Sequence, residues 1–295
     1  MEENRLTIKD SSIAFVFSFI ICQLVVIIFG AVLLFASSMF GIQNIDVFLK
    51  SAVGILVMNS VMYLTMLLLF FFFNKNKNNN VFTKPSAKKI CIYVLIAYAS
   101  FLSLYPIVNC VDKLLYYCGI PTANLTYPLN TTNYIISLIS MVILPAFCEE
   151  LLFRGIITMG LSNSGKTFAV IFSSLMFAIY HMAIGQTVYP VLFGLLLATV
   201  MLKENNIIYC IAMHLANNFI ALTLNALNIS LVFNHWTYIL MAICLAIVYI
   251  CFIIFLIKKQ KWNKENNVFS GNDKKFLIIS ILIMLIFWII CNINR

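Results

Sequence analysis

The chain reads as all-α, a polytopic transmembrane helical bundle of about eight to nine spans. Three observations carry that reading. Of its 295 residues, 63% are hydrophobic and only 10% are charged, against about 25% charged in soluble domains. The apolar residues gather into runs near the roughly 20 residues that cross hydrocarbon as helix. When those runs are taken as crossings, the Lys and Arg residues fall almost entirely on one side.

In chain order the runs are 12–38, 48–73, 90–109, 133–159, 167–184, 187–202, 207–227, 236–257 and 276–292. The sixth and ninth are short for a full crossing, and the sixth reads as tilted, re-entrant or merged with its neighbour. With the N-terminus in the cytoplasm, Arg5, Lys9, Lys75, Lys77, Lys84, Lys88, Lys89, Lys166, Lys203, Lys258, Lys259, Lys261, Lys264, Lys274 and Lys275 share the cytoplasmic side. The other side holds Lys50, Lys113 and Arg295. That asymmetry is the positive-inside pattern. The net charge of +9 therefore suits anionic lipid rather than nucleic acid, because the lysines sit beside apolar spans.

Two polar segments divide the chain, Asn74 to Lys89 and Lys258 to Lys275, and the second leaves the last helix as an appendage. An outer loop, Val111 to Asn133, carries Pro121 and Pro128 as breakers. Its two Asn-x-Thr triplets, at Asn124 and Asn130, mean nothing in a bacterium, which the Ile/Asn/Lys/Phe-heavy composition suggests. Three parts result: residues 1–132 with three helices and the outer loop, 133–227 with the chemistry, and 228–295 with two helices. The expected location is the cell membrane, multi-pass, with the N-terminus cytoplasmic.

The chemistry begins at Cys148-Glu149-Glu150-Leu151-Leu152-Phe153-Arg154. Tyr134 to Phe147 carries no charge, and then three ionisable residues fall inside an apolar span. Each costs roughly 2.5–3.5 kcal/mol on insertion scales, so such residues face a bundle interior and mark function. Glu150 and Arg154, four apart, share a helix face and can pair. Glu149 lies about 100° further round and is left without that partner. Low dielectric makes a lone carboxylate a stronger base, the property a general base needs at neutral pH. Pro145, four residues before Glu149, deprives the Met141 carbonyl of its helical partner.

The chain has three histidines. His235 stands near an outer interface beside Trp236. His181 and His214 lie within the fifth and seventh runs, each on a face with a residue four away: Phe177 with His181, Asn218 with His214. Counted at 1.5 Å per residue, Glu149 and His214 lie roughly 15 Å, and His181 roughly 22 Å, from cytoplasmic loops. All three can meet between mid-membrane and the cytoplasmic side. Phe177 reads as packing, and Asn217 as packing or support beside Asn218.

Glu149-Glu150-x-x-x-Arg154, Phe177-x-x-x-His181 and His214-x-x-x-Asn218, in that order on successive membrane helices, resemble the CPBP family. These are intramembrane proteases related to type II CAAX prenyl endopeptidases and to bacterial bacteriocin-processing and immunity proteins. The resemblance covers about residues 133–225. It implies that Glu149 activates a water with help from His181, that His214 and Asn218 stabilise the oxyanion, and that Glu150 and Arg154 hold the site. The implied substrate is a membrane-associated peptide or protein reached from the bilayer or its cytoplasmic surface. No cofactor is required on the favoured reading. Zinc is the alternative, with Glu149, His181, His214 and Asn218 as ligands, although no HExxH is present and Asn is a poor zinc ligand. Two other classes compete: a non-proteolytic bacteriocin self-immunity or scaffold protein, and a proton-coupled transporter, against which the lack of an inverted repeat argues. The nine cysteines show no metal-type CxxC spacing, and serine and aspartyl intramembrane protease motifs are missing.

Overall fold

A computed structural model describes residues 5–40, 48, 51–77, 79–120, 131–227, 229, 240, 243–245, 247, 249–254 and 271–293. Among these there is no strand, and the chain runs as a succession of helices. In order they are α1 (Ile8–Phe40), α2 (Ala52–Asn74), α3 (Ala87–Tyr117), α4 (a continuous run from Thr131 to Ser162), α5 (Lys166–Tyr180), α6 (Val188–Glu204), α7 (Ile207–Ala226), α8 (Ile243–Ile254, described in part) and α9 (Gly271–Ile293). Seven are long and apolar enough to cross a membrane, and the protein is a multi-pass helical membrane protein. The triplets at Asn124 and Asn130, His235, and most of the Lys258–Lys275 linker lie outside the described residues.

The short element is not where the run lengths placed it. The sixth and ninth helices qualify at full length, over Ile184–Glu204 and Asn272–Asn292. The fifth has 15 residues and ends at Tyr180, about 22 Å of helix against the roughly 30 Å of hydrocarbon. Its apolar run continues to Ile184, but His181 is a C-cap with ψ −12° and Met182 turns left-handed at φ 53°. Apolar composition does not mark that break; tertiary contacts do. Asn292, near the end of α9, accepts the Ile184 N–H at 2.8 Å and donates to the Met182 carbonyl at 3.4 Å. The last helix is therefore no appendage. It packs along α1 and against α5, with Phe287 against Phe19 at 5.4 Å between ring centroids.

Outer faces carry large exposed apolar residues such as Ile27, Phe35, Leu68 and Phe72, as lipid contact demands. Polar groups turn inward, the arrangement hydrocarbon imposes. The N-terminus of α1 approaches α4 very closely at Gly160. A Cβ there would meet Ser11 Oγ and lie 2.6 Å from the Thr7 carbonyl oxygen. Small residues at such crossings let membrane helices touch. Gly160→Ala is accordingly expected to cost about 1–3 kcal/mol as an overpacking change, read as a lowered unfolding midpoint in detergent.

Helix α4 carries the motif and is not a plain α-helix. Leu138–Ile143 and Leu151–Thr158 are π-helical, flanking the α-helical Leu144–Glu150. Pro145 has no N–H to give, and the turn before it is widened, with Leu144 N–H reaching back to the Ile139 carbonyl. Wide turns of this kind gather at functional sites. The second one is supported from outside: Asn79 Nδ2 donates to the Gly155 carbonyl at 2.7 Å, and Ser11 Oγ to the Ile157 carbonyl at 3.1 Å. The polar segment after α2 thus places Asn79 as a brace against the motif helix.

Candidate active site

The two wide segments place Glu149 and Glu150 at the end of the α-helical stretch between them. The pair read from spacing forms: Arg154 Nη1 donates to Glu150 Oε1 at 3.0 Å, with both side chains almost wholly buried. What spacing did not show is that the same oxygen holds His214. Nδ1 of His214 lies 2.7 Å from Glu150 Oε1. The ionised carboxylate only accepts, so Nδ1 carries the hydrogen. In the neutral ring Nε2 is then the acceptor, and in the imidazolium it is a second donor. Glu150 is the shared anchor of a cation on its own helix and an imidazole on α7.

Nε2 of His214 faces Glu149, with Oε2 at 4.0 Å. Glu149 keeps 14% of its side chain exposed, against none for Glu150. The two adjacent carboxylates thus separate into one sealed and one reachable. The other oxygen of Glu149, Oε1, accepts a hydrogen bond from the Tyr63 hydroxyl at 3.3 Å. Tyr63 belongs to α2, outside the three motifs. Its one sequence signal was a phenol in the middle of an apolar span, which requires a polar partner.

Phe177 does more than fill space. The Arg154 guanidinium rests over its ring at 4.5 Å from the centroid, and the rings of His181 and His214 meet it edge-on at 4.9 and 6.1 Å. The cation thus lies on an aromatic face. Among the described residues, two further nitrogens of Arg154, Nε and Nη2, have no hydrogen-bond partner, which leaves Glu150 and that face as its supports there. His181 packs against Phe177. Its Nδ1 is 2.9 Å from the Phe177 carbonyl, and among the described residues it makes no hydrogen bond to Glu149. Donation to that carbonyl leaves Nε2 as the free ring atom.

Asn218 reaches the motif helix by the route that Pro145 opens. Its Nδ2 donates to the Met141 carbonyl at 3.2 Å, one turn before the proline. Asn217 Nδ2 in turn holds Asn218 Oδ1 at 3.2 Å, and Asn217 Oδ1 accepts from the Tyr189 hydroxyl. Asn217, read as packing or support, thus orients its neighbour.

Of the proposed zinc ligands, Glu149 and His214 face one another. Among the described residues, however, no cluster of three or more His, Cys, Asp or Glu groups is spaced to hold a metal ion. His214 has also committed Nδ1 to Glu150. The donor set present does not fit a three-ligand zinc centre.

Within the helical bundle a membrane-buried carboxylate thus faces an anchored imidazole. Residues 131–220 match the family model described as Rce1-like, type II CAAX prenyl endopeptidase Rce1-like. The three motifs and this match agree: the segment is a domain of the CAAX-protease (CPBP) family, and it supports an intramembrane endopeptidase as the general class. No curated protein and no solved structure matches the chain. The matched segment spans α4 to most of α7, leaving α1, α2, α3, α8 and α9 outside it.

Proposed function

We propose that this protein hydrolyses a peptide bond in a membrane-associated peptide or protein by means of a water activated by Glu149. The observation that carries the reading is the facing pair, Glu149 Oε2 and His214 Nε2, 4.0 Å apart, with His214 tied to Glu150. A polar contact longer than about 3.5 Å raises the question of a bridging water, and a water held between these two groups would lie against the reachable carboxylate. Glu149 takes a proton from that water as its oxygen attacks the scissile carbonyl. Asn218 and protonated His214 supply N–H donors to the oxyanion, and His181 assists Glu149. Glu149 then returns the proton to the leaving amine. Preorganised donors in a dry site contribute about 2.7–4 kcal/mol each. This scheme requires no metal.

The cytoplasmic half of a bacterial cell membrane, with the N-terminus cytoplasmic, is the proposed setting, supported by the Lys/Arg asymmetry. Bacteriocin or signal-peptide processing fits a bacterial relative, and prenylated substrates are expected only where prenylation occurs. The test compares membrane peptides by mass spectrometry in wild-type, deletion, Glu149→Gln and His181→Ala strains. One or more peptides are expected to stay uncleaved in the deletion and in both variants. Cleavage that persists in both variants would overturn the protease reading in favour of a binding or immunity role. Cleavage by purified protein that EDTA leaves intact supports the metal-free scheme, and loss restored by zinc overturns it.

A further inference from the structure

We propose that Tyr63 is a positioning residue of the catalytic carboxylate, supplied by a helix outside the matched family segment. The inference rests on the reading of Glu149 as the base. The Tyr63 phenol is 6% exposed and lies at mid-length in α2. Buried there, its hydroxyl needs a polar partner, and Glu149 Oε1 at 3.3 Å is that partner. The register of α2 against α4 is fixed on either side of this contact. One turn before it, Asn59 Nδ2 donates to the Ser140 carbonyl at 3.3 Å. About two turns after it, Phe70 lies so close to Gly155 that a Cβ there would come within 2.8 Å of the ring. Asn59, Tyr63 and Phe70 meet residues 140, 149 and 155 in the same order, so the two helices run parallel and Tyr63 is held level with the base.

The consequence is a division of labour between the two carboxylate oxygens. Oε1 is occupied by the phenol. Oε2 is left toward His214 as the oxygen that takes the water's proton. Without the phenol the carboxylate can rotate about its terminal torsion, which is broad for Glu, and its base oxygen loses its aim. A 1 Å misplacement of a reacting group can cost about a hundredfold. A single hydrogen bond to a charged group corresponds to roughly tenfold.

The experiment uses Tyr63→Phe in the full-length protein, with Leu64→Ala, a neighbour on the exposed face, as control. The probe is a quenched fluorescent peptide carrying a cleavage sequence found by the strain comparison above. Tyr63→Phe is expected to lower kcat about tenfold, with KM and the thermal midpoint unchanged. Leu64→Ala should match wild type. Infrared difference spectra supply a readout that needs no substrate: the carboxylate band missing from Glu149→Gln should shift in Tyr63→Phe. An unshifted band or an unchanged kcat overturns the proposal. If Glu149→Gln still cleaves the peptide, the reading of Glu149 as the base falls, while the infrared shift still decides whether Tyr63 holds Glu149.

Discussion

Glu149→Gln is expected to abolish peptide-bond cleavage while leaving the bundle folded. The amide keeps the shape of the carboxylate and can still accept from Tyr63 through its carbonyl oxygen, so helix packing around α4 has little to lose. What disappears is the capacity to take a proton. General-base assistance contributes about 10²–10⁴ in rate, and a loss at the upper end is expected because, among the described residues, no second free carboxylate stands at the site. Glu150 cannot substitute: it is fully buried and its Oε1 serves both Arg154 and His214. The assay is cleavage of the fluorescent peptide by purified variant, alongside its elution profile and thermal midpoint. Wild-type turnover in Glu149→Gln would remove the carboxylate from the chemistry.

Glu150→Ala should be the most damaging change to stability in the motif. Removing one member of a buried ion pair strands the other charge and costs about 3–5 kcal/mol. Here Arg154, 1% exposed, would keep only the face of Phe177. His214 would lose its one carboxylate anchor as well. A second substitution separates these two effects. Arg154→Leu in the Glu150→Ala background removes the stranded cation and should recover a large part of the unfolding midpoint. Activity should stay lost, because His214 Nδ1 remains without a partner. Were the double variant to regain both stability and turnover, Glu150 would be only a strut for Arg154 and its bond to His214 would be irrelevant to the reaction.

The separation of the two adjacent carboxylates was legible in the sequence because it follows from the helix itself. Residues four apart share a face whatever surrounds them, and the Glu150–Arg154 contact at 3.0 Å survives the wide turn that begins at Leu151. The freed carbonyl at Met141 was likewise a local consequence of Pro145, although its new partner was not. The wide turns themselves were not legible, since an apolar run reads alike whether it turns in α or π geometry. The early end of α5 escaped for the same reason: Met182 to Ile184 are apolar enough to continue a span, and the break depends on Asn292 more than a hundred residues away (108 to Ile184).

By itself the sequence determined an all-α membrane bundle, the buried pair, the candidate base and the three motifs that name the family. These follow from transfer energies and from the helical period, both of which act within a segment. Only the tertiary structure decided that Glu150 anchors His214, that Asn218 takes the Met141 carbonyl, and that Tyr63 and Asn292 reach in from helices beyond the motifs. The period relates residues along one helix but says nothing of how neighbouring helices are rotated and offset. That relation is decided where side chains pack, and the close approach at Gly160 and the brace from Asn79 are two of the contacts that set it.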